Sequence, residues 1–266
     1  CVGTILRALD ASGEAERTVI VFLSDHGMPL PFAKTAVWYH STHTPLIIRW
    51  PGVTTPGAID EDHLVSAVDI MPTLLHGMGV PSPEGMDGRS FTKTLRGEAQ
   101  AGFDDVYTFH NENSGRNRSP MRSVQNVRFG YIFNPWSDGS RVFKTATTGT
   151  ATFRTMQKLA PEDPEMAARL DLFLHRVPEE LYDYENDPDA LHNLIDDPAY
   201  AEVLAERRGR MREIMVASHD PLLEAFDRRD DAAFVSGVID ALQAEADARG
   251  QKPKRGRRKP QRPAML

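Results

Sequence analysis

Three polar side chains near the start of the chain are spaced for chemistry. Asp25 and His26 lie in the turn Ser24-Asp25-His26-Gly27, and Lys34 follows eight residues after His26. An Asp released from a buried strand into a glycine-assisted turn is well placed to ligate a hard cation. It serves equally well as a plain loop or helix cap. An imidazole is a less usual calcium ligand, since it suits transition metals better, and His26 taken singly reads equally as a satisfied loop histidine. Lys34 ends the loop Met28-Pro29-Leu30-Pro31-Phe32-Ala33-Lys34, whose two prolines limit its freedom. It could reach back as a point charge for a sulfate or phosphate oxygen, although a lone lysine is more often a surface residue. Further along, His110, Asn111, Glu112 and Arg116 form a polar, turn-rich cluster that could border a substrate pocket or be a solvated loop. Arg122 starts a strand and either contacts substrate or pairs with a carboxylate. The remaining histidines, His40, His43, His63, His76, His175, His192 and His219, show no metal-ligand spacing and read as structural or surface residues.

The elements that must position these groups suggest an α/β fold. Val2, Ile5, Leu6 and Leu9 make a short helical stripe. Thr18 to Leu23 is then a β-rich run, apolar on consecutive positions, which predicts a strand covered on both faces as in a parallel sheet. A second such strand is Pro45 to Trp50, stopped by Pro51-Gly52. In open α/β sheets ligands sit beyond the carboxyl ends of strands, where Asp25 and His26 fall. Val65 to Met78 has helical spacing, with Pro72 bending or restarting the helix. Residues 1–100 therefore read as the last strands of a larger α/β domain with helices on both faces of a mixed or parallel sheet. Residues 101–230 read as a small α+β subdomain, with antiparallel strand candidates at Val106 to Phe109, Ser123 to Phe133 and Arg141 to Phe143. Asp197-Pro198 caps a helix carrying Tyr200, Val203, Leu204, Met211, Ile214 and Met215 on one face. Residues 231–266 read as a helical or disordered basic tail.

Composition bounds what such a chain can do. With 266 residues and 40% of them hydrophobic, it supports a real core. Its longest clean apolar run, Val19 to Leu23, is far short of the ~20 residues of a spanning helix, so no membrane segment is expected. The only cysteine is Cys1, which excludes an internal disulfide framework and a cysteine zinc cluster and leaves the redox compartment open. The chain opens at Cys1 directly into a helical pattern. This reads as a truncated start, silent on export and localisation. Formal charge is -7, yet residues 251–266 hold seven Lys or Arg and no acid. The tail lacks interleaved aromatics, so a solubilising extension is expected rather than a specific nucleic-acid site.

The order of motifs is more specific than any one of them. Thr18 to Gly27, Pro45-Leu46-Ile47-Ile48-Arg49-Trp50-Pro51-Gly52, Val68-Asp69-Ile70-Met71-Pro72-Thr73-Leu74 and Asp87-Gly88-Arg89-Ser90 follow one another as in type I sulfatases of the alkaline phosphatase-like superfamily, which the chain resembles over about residues 1–225. Glu180-Leu181-Tyr182-Asp183 with Asp187-Pro188 and Asn193-Leu194 is similar to that family's C-terminal signature, with Ala190 where many members have Glu. Ser119 to Gln125, the Met28 to Pro31 loop and Ser218-His219-Asp220-Pro221 look like the heparan N-sulfatases (N-sulfoglucosamine sulfohydrolases). One departure is His26, where sulfamidases and many arylsulfatases have Asn. Asp-His there looks like iduronate sulfatases and phosphonate monoester hydrolases.

The resemblance implies a calcium ion holding a formylglycine, made from Cys or Ser in a Cys/Ser-x-Pro/Ala-x-Arg motif, whose hydrate attacks sulfur. By that match Asp25 and His26 are metal ligands and Lys34 binds the sulfate oxygens. No such motif occurs in these 266 residues, and Cys1-Val2-Gly3-Thr4-Ile5 does not fit it. The expectation is a hydrolase of sulfate esters or N-sulfates on a sugar of which this chain is the C-terminal portion, inactive alone. The rivals are a phosphonate or phosphodiester hydrolase of the same fold and a non-catalytic module that binds an acidic glycan.

Overall fold

The computed structural model describes residues 1–34 and 36–251. Helix α1 (Val2–Ser12) ends at Gly13, whose φ of 75° is the left-handed C-cap that glycine adopts without strain. None of its side chains is buried among the described residues. Strand β1 (Ile20–Leu23) follows, then a long turn, the short helix α2 (Tyr39–Thr42) and strand β2 (Leu46–Arg49). These two strands pair antiparallel, with Leu23 opposite Leu46 and Ile20 opposite Arg49. That corrects the parallel, doubly covered arrangement expected for them. A consecutive apolar run carries no information on strand direction, and Phe22, Leu23 and Ile47 are left 43%, 41% and 63% exposed. Helix α3 (Ile70–Gly77) is preceded by a 3-10 turn, Ala67–Asp69, so the chain restarts its helix just before Pro72 as the proline suggests. Asp69 binds this corner together. Its carboxylate accepts from the backbone N–H of Ser66 and of Arg89, which ties the entry to α3 to the segment before α4 (Thr92–Leu95).

The second half is built on an antiparallel meander of β3 (Val106–Glu112), β4 (Arg118–Gln125), β5 (Phe129–Phe133) and β6 (Glu179–Asp183). The expected single strand from Ser123 to Phe133 is thus two. Asn126 breaks it by accepting from the backbone N–H of Arg128 and Phe129, which is the turn chemistry of Asn. The expected strand at Arg141 to Phe143 is a loop instead. Phe143 is buried there and its N–H donates to the Leu174 carbonyl at 2.6 Å.

Alternation along these strands covers both faces of the sheet. Met121, Ile132 and Tyr182 point into a core with Phe153 and Phe173, contributed by α5 (Ala151–Leu159) and α6 (Pro164–His175). Val124, Tyr131 and Leu181 point into an opposite core with Met211 and Met215 of α7 (Ala201–Ala217) and Phe226 of α8 (Leu223–Asp227). Helix α9 (Ala232–Gln251) buries Val235, Ile239 and Ala246 and joins both cores, so the Ala-rich segment after Asp230 is packed protein as far as the described residues run. The Lys252 to Arg262 run lies outside the described residues. No helix among the described residues is long and apolar enough to cross a membrane.

Candidate metal and anion site

The turn after β1 is held from both sides. Ser24 Oγ donates to the His26 carbonyl at 2.7 Å, and the Gly27 N–H donates to the Ser41 carbonyl at 3.2 Å. A Cβ on Gly27 would lie 1.9 Å from the His40 carbonyl oxygen and 2.3 Å from that of Ala33, both backbone atoms. Only glycine lets these three segments approach so closely. Gly27→Ala should therefore displace the turn and cost about 1–3 kcal/mol, read as a lower midpoint of thermal unfolding.

The same turn orients two ligand-type atoms. His26 Nδ1 lies 2.7 Å from the Gly27 carbonyl oxygen; a carbonyl only accepts, so Nδ1–H is the donor and Nε2 is the nitrogen left for a cation. Nε2 stands 3.2 Å from Asp25 Oδ2. Two donor atoms at that separation fit neighbouring positions in a shell of about 2.4 Å radius, the range of calcium–oxygen bonds. The Asp25 side chain is 84% exposed, so it is open to further ligands. Among the described residues no group of three or more His, Cys, Asp or Glu has metal-holding geometry. What fits here is therefore a pair of ligands.

Lys34 is half-buried in the turn that leaves this site, between two aromatic anchors sunk in the core of the meander. Phe32, at φ 64°, packs 4.4 Å from Trp38 and 5.3 Å from Phe173, with the Arg169 guanidinium 3.6 Å above its ring. Trp38 Nε1–H donates to Glu180 Oε2 at 2.9 Å, and the Arg176 guanidinium lies 3.4 Å over the indole. A positive φ on a bulky residue costs energy that this packing must offset. The loop carrying Lys34 is thus held by the second half of the chain.

A cleft of about 790 Å³ opens beside the turn. His26 lines it, and so do His40, His43 and Asp189, none of which the sequence reading placed at a site. His40 Nε2 is 2.9 Å from Asp189 Oδ1, across 149 residues of chain. Burial and the neighbouring His40 lower the His43 pKa. The only sequence signal for this pair was the His40-x-x-His43 spacing ahead of β2.

His110, Glu112 and Arg122 are not among the residues lining this cleft. His110 is half-buried on β3, edge-on to Phe143, and burial lowers its pKa with help from the Arg122 charge. Glu112 pairs with Arg118 at 3.3 Å and with Arg249 at 2.5 Å. Arg122 is 1% exposed and grips Asp220 with two nitrogens, so of its two readings the structure shows the carboxylate partner.

Comparison with known proteins agrees with the order of motifs. The family described as N-sulphoglucosamine sulphohydrolase, C-terminal, matches residues 25–136, from Asp25 through β5. N-sulphoglucosamine sulphohydrolase of Homo sapiens is 27% identical over 240 residues, 85% of this chain and 47% of that protein. The chain is similar to sulfatases over most of its length. An ulvan-active sulfatase of Formosa agariphila is 29% identical over 221 residues, 82% of this chain and 36% of the relative. Among solved structures, the chain superimposes on BT1596, a 2-O GAG sulfatase, with a TM-score of 0.60 at 25% identity, covering 82% of this chain and 40% of that one. The architecture is accordingly that of the alkaline phosphatase-like fold. The chain spans 36% to 47% of the length of these two curated relatives.

Proposed function

We propose that this chain serves a sulfatase that hydrolyses a sulfate ester or an N-sulfate on a sugar, in the manner of the heparan N-sulfatases. The observation that carries the reading is the convergence of Asp25 Oδ2 and His26 Nε2, 3.2 Å apart beside a cleft, on a turn held by backbone contacts to Gly27. In this reading Asp25 and His26 supply two ligands of a divalent cation, Ca2+. When bound, that cation supplies fixed positive charge for an anionic group at this end of the cleft. Lys34 donates from Nζ to a sulfate oxygen and stabilises charge as it develops there. The 266 residues contain no formylglycine motif, so the nucleophile and the remaining cation ligands are supplied from outside them, and the chain alone does not turn over substrate.

Two measurements test this. Terbium luminescence, with Tb3+ standing in for Ca2+, should report a site on the chain that competes with calcium. Asp25→Ala should weaken it at least about tenfold, the lower end of what even outer-shell partners cost. Binding unchanged in Asp25→Ala would sink the metal assignment. The enzyme completed by a formylglycine-bearing part should cleave sulfamate or sulfate ester in preference to phosphodiester, and the reverse preference would replace the sulfatase reading with a phosphohydrolase.

A further inference from the structure

We propose that the pocket between the loop after β5 and the first turn of α9 binds a small organic acid, a carboxylate on a compact apolar body, through Arg141, Arg229 and Ser137. The pocket is separate from the Asp25–His26 turn and does not depend on the sulfatase reading. Every residue that lines it lies between Phe133 and Ser236, so residues 1–100 take no part in it. It sits where β5 ends and β6 begins, with Phe133 opposite Glu179. The chain leaves the other end of β6, at Asp183, on its way to Asp189 and the cleft beside His26.

Each arginine is tethered through some of its nitrogens and has another left over. Arg141 Nη2 donates to Ser236 Oγ at 2.9 Å and to Asp240 Oδ1 at 2.8 Å, and Nε lies 3.3 Å from Asp138 Oδ2. Its Nη1 is enclosed and has no hydrogen-bond partner among the described residues. Arg229 Nη1 donates to the Phe226 carbonyl at 3.2 Å. Its enclosed Nε stands 3.6 Å from Glu179 Oε2, beyond hydrogen-bond reach, and that carboxylate already accepts from Tyr131 Oη and from two nitrogens of Arg208. Ser137 Oγ is a third donor without a partner, on a residue only 7% exposed. Asp138, the carboxylate in the lining, is engaged elsewhere. Its Oδ1 accepts from the N–H groups of Ser140 and Arg141 and from Ser140 Oγ at 2.8 to 2.9 Å.

Buried polar groups are normally paired, so three donors lacking acceptors around one pocket define what is missing from it. The complement accepts hydrogen bonds and donates none, which describes an ionised carboxylate. With two guanidinium groups among the donors, its bonds would be of the strong, charge-assisted kind. Phe133, Pro135, Pro178, Ala232 and Val235 make the rest of the wall, so the body that carries the carboxylate is apolar. The volume of about 290 Å³ stands at the lower edge of the roughly 300–1,000 Å³ of small-molecule sites, which suits a single ring or a short branched chain. The frame is fixed before anything binds. Asn134 donates from its N–H to the Pro178 carbonyl at 2.7 Å and from Nδ2 to the Val177 carbonyl at 2.8 Å, which clamps the loop after β5 onto the entry to β6. A carboxylate reaching both Arg141 and Arg229 joins that loop to the turn between α8 and α9.

The test uses the full chain, with benzoate as the probe and benzamide and inorganic sulfate as comparators. Each is titrated while backbone amide signals are followed by NMR. The expected result is saturable movement of the Ser137 and Ala232 signals by benzoate, with affinity at least about tenfold above that for benzamide, whose NH2 group meets only donors. Sulfate, which has no apolar body, should bind more weakly than benzoate. Arg229→Gln should weaken benzoate about tenfold and Ser137→Ala roughly threefold. Ser137→Ala removes a hydroxyl that bonds to nothing in the protein, so it keeps the test open if the arginine variant fails to fold. Benzoate should also raise the midpoint of thermal unfolding of the parent, and raise it less in the Ser137 variant. The proposal is overturned by the absence of saturable binding, by benzamide or sulfate binding as tightly as benzoate, or by benzoate affinity unchanged in Ser137→Ala and in a folded Arg229→Gln.

Discussion

Replacing Glu180 by Ala should lower the unfolding free energy by about 3–5 kcal/mol, the cost of leaving one partner of a buried ion pair alone. Glu180 and the Arg176 side chain are both fully enclosed, and Arg176 Nε donates to Glu180 Oε1 at 2.7 Å. The same carboxylate accepts from Trp38 Nε1, Asn134 Nδ2 and Tyr182 Oη at 2.7 to 2.9 Å. Burial already lowers the Arg176 pKa, and Glu180, with Tyr182 beside it, opposes this. Without it, a guanidinium stacked on Trp38 is left in an apolar core. Chemical denaturation of Glu180→Ala measures the loss. Arg176→Met combined with Glu180→Met should recover most of it, because removing both charges also removes the desolvation penalty. If the double variant is as unstable as the single one, the packing around Trp38 is what matters and the ion pair is not.

Asp220→Ala should cost a similar amount, about 3–5 kcal/mol, by the same physics at Arg122 on β4. Its carboxylate accepts from Arg122 Nε at 2.6 Å, from Arg122 Nη2 at 3.2 Å and from Tyr107 Oη at 2.9 Å. It also accepts from the Leu222 N–H at the entry to α8. Burial raises the Tyr107 pKa, so the phenol stays a donor and has no other use for its proton. Asp220→Asn keeps the shape and an acceptor for Leu222 and separates the two contributions. Most of the loss should appear in Asn as well as in Ala, because the bare charge on Arg122 is what costs. An Asn variant as stable as the parent would assign the effect to the cap.

The sequence revealed the parts whose determinants are local. A β-rich apolar run closing on Gly27 marked the turn that carries Asp25 and His26. Asp197-Pro198 marked the start of a helix that the structure continues as α7, with Asp197 accepting from the Ala199 N–H. The same Asp-Pro signal stands at Asp163-Pro164 and caps α6, yet it lies in a stretch the pattern reading left unassigned. What local pattern could not carry was direction and distance. Two consecutive apolar runs look alike whether they pair parallel or antiparallel, and only the register of Leu23 on Leu46 decides it. The turn at Asn126 was masked because strand-forming residues flank it closely on both sides. The cleft was invisible for a different reason. His40 and Asp189 are 149 residues apart, and nothing in either segment alone announces the other. Arg122 was ambiguous until Asp220, 98 residues away, was found against it.

Trp38 and Phe32 have a kinetic meaning beyond packing. Because both rings bracketing Lys34 are embedded in the aromatic core of the meander, neither Phe32 nor Trp38 can leave its place without opening that core. Local excursions of these two anchors are therefore as rare as those of the strands behind them. An anion arriving at Lys34 therefore meets a segment whose two flanking anchors were ordered during folding.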